Sequence, residues 1–242
     1  MPLISARVLM PALLSALLLG AGLAARAADA PAPAAPSGAQ DFSRAERLLF
    51  MTPQLRGIKP PTKLRYRFRR SGSLEAGFED SVDLVLTRAP AGGCCAARTD
   101  FLSGERRLNL PDMPEAEGNP VTLYFLERDV REMQRLTRGS QAHFRKQIRM
   151  VAYNGATVRD IAWHYRGKTV AAQEVTLKPY LDDPNRPRFE AHARKEYRFV
   201  LSDAVPGGLI AIRTRTPGVE DKAPLLVEEL ELEGSEPAPA AP

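Results

Sequence analysis

Apolar and polar positions alternate along most of this chain, and the alternation predicts strands. From Thr62 to Arg70, Leu64, Tyr66 and Phe68 fall on one side and Arg65, Arg67 and Arg69 on the other. Period two with one apolar side is the mark of a half-buried antiparallel strand. After the turn Ser71-Gly72-Ser73, the stretch from Asp80 to Thr87 repeats the pattern with Val82, Leu84 and Leu86 inward, and sets Asp83 across from the arginines. Further strands are predicted over 106–110, 121–125, 143–153, 158–165, 169–178, 189–202 and 209–215, with LLVEELELE (225–233) suited to a last one. Asn154-Gly155 is the strongest hairpin turn in the chain.

Helical spacing occurs twice. Phe42, Ala45, Leu48 and Leu49 predict a short helix over 42–50, with Asp41 or Ser43 as its cap. Leu126, Val130, Met133 and Leu136 predict another over 127–137, ended by Gly139. The fold class that follows is mainly β (α+β): a curved antiparallel sheet or half-barrel of about nine to ten strands with two short helices.

Two short helices cover little of such a sheet, so part of its concave apolar face is predicted to be open to a ligand. The candidate ligand-binding face comprises Tyr66, Phe68, Leu84, Phe144, Ile148, Met150, Trp163 and Tyr197. The stretch 119–153 then acts as a structural hinge, its helix a lid and its long strand a central rung. Its Glu-Arg-Asp cluster (127–129) reads as a solvated helix surface.

The N-terminus changes the picture of compartment. Arg7 precedes an apolar run from Val8 to Leu23, and Ala25-Arg26-Ala27 offers small residues at a cleavage site, with Ala28-Asp29-Ala30 as a second. This is the layout of a secretory signal peptide over residues 1–27. A Pro/Ala-rich linker follows over 28–40, then one β-rich domain over 41–216, then a largely disordered acidic tail over 217–242. The expected protein is exported and soluble, in a bacterial periplasm or secreted. Removing residues 1–27, which hold two arginines and no acid, lowers the formal charge from +5 to +3. From Glu220 onward seven acids face Lys222 alone, so the body carries about nine net positive charges. Its basic surface, including Arg65, Arg67, Arg145 and Arg149, suits an acidic envelope protein or an anionic membrane surface. Export argues against nucleic acid.

Candidate chemistry is sparse. Cys94 and Cys95 stand side by side in a predicted loop, where they can stay free, form a vicinal disulfide or link two chains; the spacing fits neither CxxC nor a metal site. His143, His164 and His192 are scattered, and no GxSxG or HExxH motif occurs. Neither a metal nor a cofactor is expected. Glu127, Asp129, Asp160 and His164 are the residues from which an acid/base site would have to be built.

Signal peptide, size, strand-rich meander and lid-like helices together resemble the LolA/LppX superfamily of periplasmic lipoprotein carriers and lipid-binding proteins, over roughly 60–216. The blocks FLERDVREM, HFRKQIRM and YRFVLSDAVPGG are also similar to stretches of secreted proteobacterial proteins. The resemblance implies a non-enzymatic binder or carrier of a lipid-like or lipoprotein ligand. The competing readings are an envelope interaction protein that docks an acidic partner, and a hydrolase of unknown substrate.

Overall fold

The computed structural model describes residues 41–92, 94–218 and 223–237; the signal peptide and linker expected over 1–40 lie outside them. A short helix, α1 (Arg44–Glu46), starts at a capping box and widens into a π-helical turn, Arg47–Met51. The Ser43 hydroxyl accepts from the Glu46 amide at 3.0 Å, and the Glu46 carboxylate accepts from the Ser43 amide at 2.9 Å. The strands are β1 (Thr62–Ser71), β2 (Phe78–Arg88), β3 (Cys95–Phe101), β4 (Met113–Ala116), β5 (Thr157–Tyr165), β6 (Lys168–Leu177), β7 (Glu196–Leu201), β8 (Leu209–Thr216), β9 (Leu226–Leu232) and β10 (Ser235–Pro237). They form one antiparallel sheet in the order β10-β5-β6-β7-β8-β9-β1-β2-β3-β4.

The mainly β, antiparallel architecture is the one the alternation predicts, but two regions differ from expectation. The first is 119–153, which contains no strand. It is a helical hairpin of α2 (Pro120–Thr137) and α3 (Gln141–Asn154). Asn119 caps α2: its side-chain oxygen accepts from the Val121 amide at 3.1 Å, and Pro120 occupies the first turn. The Asn119 amide group also donates to the Tyr66 hydroxyl and to the Gly207 carbonyl, both at 2.8 Å, which ties the start of α2 to β1 and to the β7–β8 turn. In α3 the buried positions are Phe144, Ile148 and Ala152, spaced by four. That is a helical stripe, and the apparent alternation around it is incidental. The α2–α3 turn is tight: a Cβ on Gly139 would stand 2.5 Å from the Phe144 ring.

The second is the C-terminal segment. Residues 226–232, suited by their alternation to a last strand yet placed above in a largely disordered tail, form β9 in the middle of the sheet, hydrogen-bonded to β8 on one side and β1 on the other. The boundary at 216 is therefore too early, and the described residues from Asp41 onward form one compact unit. Only Glu233 and Gly234 separate β9 from β10, yet β10 pairs with the edge strand β5. The sheet must curl to bring β5 to the end of β9, which produces the half-barrel. Smaller differences are β3 and β4, where a loop was expected, and α4 (Glu190–Ala193) at the start of the segment read as a single strand over 189–202.

Strand parity places several charges on the concave side. In β1, Leu64, Tyr66 and Phe68 point inward, and Arg70 follows them at 6 % exposure. In β9, Leu226, Leu230 and Leu232 point inward, and Glu228 lies among them, fully buried and in register with Arg70. Lys195 precedes Tyr197 and Phe199 of β7 on the same side. Helix α2 meets these charges with its own. Arg128 donates to Glu228 at 2.9 Å, Arg70 donates to Glu132 at 2.7 Å, and Lys195 pairs with Asp129, which also accepts from the Tyr197 hydroxyl at 2.5 Å. Asp129, at 0 % exposure, follows Phe125 and precedes Met133 on one helical stripe. The Glu-Arg-Asp cluster is thus not a solvated surface: Asp129 and Arg128 form part of an ionic seam between α2 and the sheet.

Three outcomes follow from this arrangement. A chain ending at residue 217 lacks β9 and should show no cooperative unfolding transition; a retained transition would mean that the two halves of the sheet do not need it. Lys195→Met strands the Asp129 carboxylate in the core and should cost about 3–5 kcal/mol in urea unfolding, most of it recovered when Asp129→Leu is added. A single-site cost below about 1 kcal/mol would contradict a buried, mutually dependent pair. Acid should also weaken the seam. Burial raises the Glu132 pKa, but hydrogen bonds and charge from Arg135 and Arg70 outweigh it and bring it down to about 2. A carboxyl lowered on folding stabilises above its unfolded pKa of about 4.3 and loses that contribution as pH falls toward 2. The urea midpoint should drop over that window, and Glu132→Gln should flatten the drop; an unchanged slope would remove Glu132 from the account.

Candidate functional site

The predicted ligand face is not an open surface. Tyr66, Phe68, Leu84, Phe144 and Tyr197 are 0 % to within rounding, with Ile148 at 3 % and Trp163 at 5 %. They form part of one continuous core in which α2 and α3 fill the concavity of the sheet. Phe144 packs edge-on against Tyr180 and Phe189, and Tyr180 in turn donates to or accepts from the Tyr197 hydroxyl at 3.1 Å. Burial, with the neighbouring Asp129 charge, holds both tyrosine hydroxyls well above the usual phenol pKa. Met150 separates from the others: on α3 it points outward, 44 % exposed. The expectation of an uncovered face fails because the segment read as a strand folds as a second covering helix.

The basic strand face is also less available than composition suggests. Arg65 grips Asp83 with two hydrogen bonds of 2.7 and 2.8 Å, and Lys63 reaches the same carboxylate. These contacts, led by the Arg65 hydrogen bond, hold the Asp83 pKa down to about 2. Arg67 and Arg213 both pair with Glu231 of β9. The acidic C-terminal segment therefore pairs with part of this face from within the sheet, while Arg69 and Arg215 stay exposed with no ion pair among the described residues. These exposed pairs each add little to stability.

The hydrolase residues are dispersed. Asp160 is exposed and bound to Arg44 and Gln173. His164 lies four residues along β5, roughly 13 Å away. Glu127 is engaged with arginines and Asp129 with Lys195. Nothing brings the four together. Cys94 and Cys95 are joined as a vicinal disulfide, which lines a cleft of about 400 Å³ with Leu55, Arg56 and Glu115. Among the described residues no group of three or more His, Cys, Asp or Glu side chains is placed to hold a metal ion, and no helix is long and apolar enough to cross a membrane.

What the helices leave open is a groove of about 480 Å³ on their outer side. Phe50, from the π-helical turn, forms one wall and Leu110, Pro111 and Met113 another. The Tyr124 hydroxyl donates to the Pro111 carbonyl at 2.6 Å and so pins that wall to α2. Leu123, Leu126 and Val130 of α2 with Ile148 of α3 make the floor. Leu123 is 46 % exposed and Phe50 39 %. The rim is cationic. Arg145 binds Glu127 through two hydrogen bonds of 3.0 and 2.9 Å, and Arg131 reaches it at 3.1 Å. The hydrogen bond from Arg145 is the main cause that lowers the Glu127 pKa; burial opposes it, and the hydrogen bond from Arg131 with both guanidinium charges adds to the lowering. With Arg149 also on the rim, three guanidinium groups face one carboxylate. An apolar cleft of this size with a few charged groups at its mouth has the form of a site for an amphipathic small molecule.

Of the candidates taken from sequence, Ile148, Arg145, Arg149 and Glu127 line this groove, Glu127 as the partner of two arginines. Phe50, Leu123 and Met113 were missed, because their exposure depends on how the helices pack. The one legible signal was the spacing of Arg145 and Arg149, which puts both on one face once 141–154 is helical.

No protein-family model matches this chain, and no curated protein matches it. Among solved structures, it is similar to the Mycobacterium tuberculosis lipoprotein LppX at 7% sequence identity, with a TM-score of 0.31, over 75% of this chain and 91% of that one. At that level the likeness is one of broad architecture.

Proposed function

We propose that this chain is a non-enzymatic binding or carrier protein for a lipid-like ligand, held in the outer groove between the π-helical turn, α2, α3 and the 110–113 segment. The observation that carries the reading is the pairing of an apolar floor with a net cationic rim in one cleft. A single acyl chain lies along Leu123, Leu126, Val130 and Ile148, and an acidic head group meets Arg149, Arg145 and Arg131. Transfer of apolar surface from water drives the first contact, and charge-assisted hydrogen bonds orient the second. The acyl group of a lipoprotein has the same chemistry and fits the same reading. The dispersal of Glu127, Asp129, Asp160 and His164 supports a role without catalysis. The signal-like N-terminus supports action in the periplasm or outside the cell.

Titration with a fluorescent fatty acid tests the assignment. Saturable binding is expected, with Leu123→Asp and Arg149→Glu each weakening it at least about tenfold, the loss of roughly 1.4 kcal/mol. Both positions are exposed, so circular dichroism should be unchanged. Equal affinity in all three proteins would move the ligand elsewhere, and no saturable binding to the unaltered chain would reject the reading.

A further inference from the structure

The exposed side of α3 has a composition that the groove does not account for. Ala142, Arg145, Lys146, Arg149, Met150 and Tyr153 are all exposed, and their spacing puts them on a single stripe opposite the buried Phe144, Ile148 and Ala152. Helix α3 contains no Asp or Glu. Arg145 is partly neutralised by Glu127, and no ion pair involves Lys146 or Arg149 among the described residues. Met150 and Tyr153 are 44 % and 52 % exposed, although nothing in the fold requires large apolar groups there. Five of the eight large apolar side chains exposed among the described residues, Phe50, Met51, Leu123, Met150 and Tyr153, lie on α2, α3 or the π-helical turn, so the apolar exposure is concentrated on the helical side of the molecule.

We propose that this stripe of α3 docks on an anionic lipid bilayer, with α3 parallel to the surface. A helix about 20 Å long that lies in the interface needs cations for the phosphates and apolar or amphipathic side chains to enter the head-group layer. Lys146 and Arg149 supply the first, and Met150 and Tyr153 the second, tyrosine being a residue that favours the membrane–water boundary. Charge alone would suit an acidic protein equally well; the two exposed apolar groups between and beyond the cations favour lipid. Arg145 and Arg149 belong both to this stripe and to the rim of the groove, so docking brings the mouth of the groove to the lipid surface. The proposal stands on the stripe itself and survives if the groove binds nothing.

Flotation with phosphatidylcholine vesicles, with and without phosphatidylglycerol, tests it on the full chain. Binding is expected only with the anionic lipid and should fall as salt rises. Each cation near such a surface is worth about fivefold in affinity. Lys146→Glu combined with Met150→Ser and Tyr153→Ser should therefore reduce binding at least fivefold, while fatty-acid binding in solution is kept, since none of the three lines the groove. Lys168→Glu, on the exposed β5–β6 turn at the far end of β5 from α3, serves as the charge control and should leave vesicle binding within twofold. Failure to float with anionic vesicles, equal flotation with neutral ones, or an unaffected triple variant would each overturn the proposal. Fatty-acid binding lost with vesicle binding intact would instead remove the groove reading and leave this one standing.

Discussion

A carboxylate as deeply buried as Asp129 has to be met by a cation, and much of this structure depends on how that requirement is satisfied. The partner is Lys195, itself 1 % exposed, with the Tyr197 hydroxyl completing the contact. A second centre, Arg70 with Glu132 and Glu228, joins the same helix to the two strands at the middle of the sheet. Apolar burial alone would let α2 slide along the concave face, because hydrophobic contact is non-directional. Two ionic centres on one helix fix its position along the sheet. Once α2 is fixed, α3 follows through the tight turn at Gly139, and both the groove and the cationic stripe are consequences of where α3 lies.

The placement of β9 is the other half of the same constraint. Glu228 enters the core only because β9 is inserted between β8 and β1, and there it accepts from Arg128 at 2.9 Å and adds to the carboxylates already around Arg70, those of Glu132 and Glu75. The same strand turns Glu231 and Glu229 outward toward Arg67 and Arg213. One acidic segment thus settles charges on both faces of the sheet. On α3 the cations Lys146 and Arg149, which have no ion pair among the described residues, stand beside exposed apolar groups.

The strands were legible in the sequence wherever one face is wet. β1, β2 and β5 follow period two because Arg65, Arg67 and their counterparts mark the solvent side, whereas β8 begins with four buried residues and alternates only at Arg213 and Arg215. The helical hairpin was not, for a physical reason. Phe144, Ile148 and Ala152 are all at even positions, so they satisfy a strand template as well as a helical one. Only the exposure of Met150 separates the two. Asn119-Pro120 was a readable helix start, overridden by the apolar run Val121–Phe125 that follows it. Parity could have revealed the buried charges, since Arg70 continues the inward series of Leu64, Tyr66 and Phe68, and Glu228 interrupts that of Leu226, Leu230 and Leu232. The groove could not be read in advance, because it is assembled from four segments whose contact is decided by packing.

The central claim is that a lipid-like chain lies in the outer groove rather than between the helices and the sheet. A crystal structure with a fatty acid brominated near its methyl end locates the ligand directly. The account predicts an anomalous bromine peak beside Leu123, Leu126 and Ile148, with the carboxylate at Arg149. A peak on the concave side, next to Phe68 or Tyr197 with α2 and α3 displaced, would contradict it.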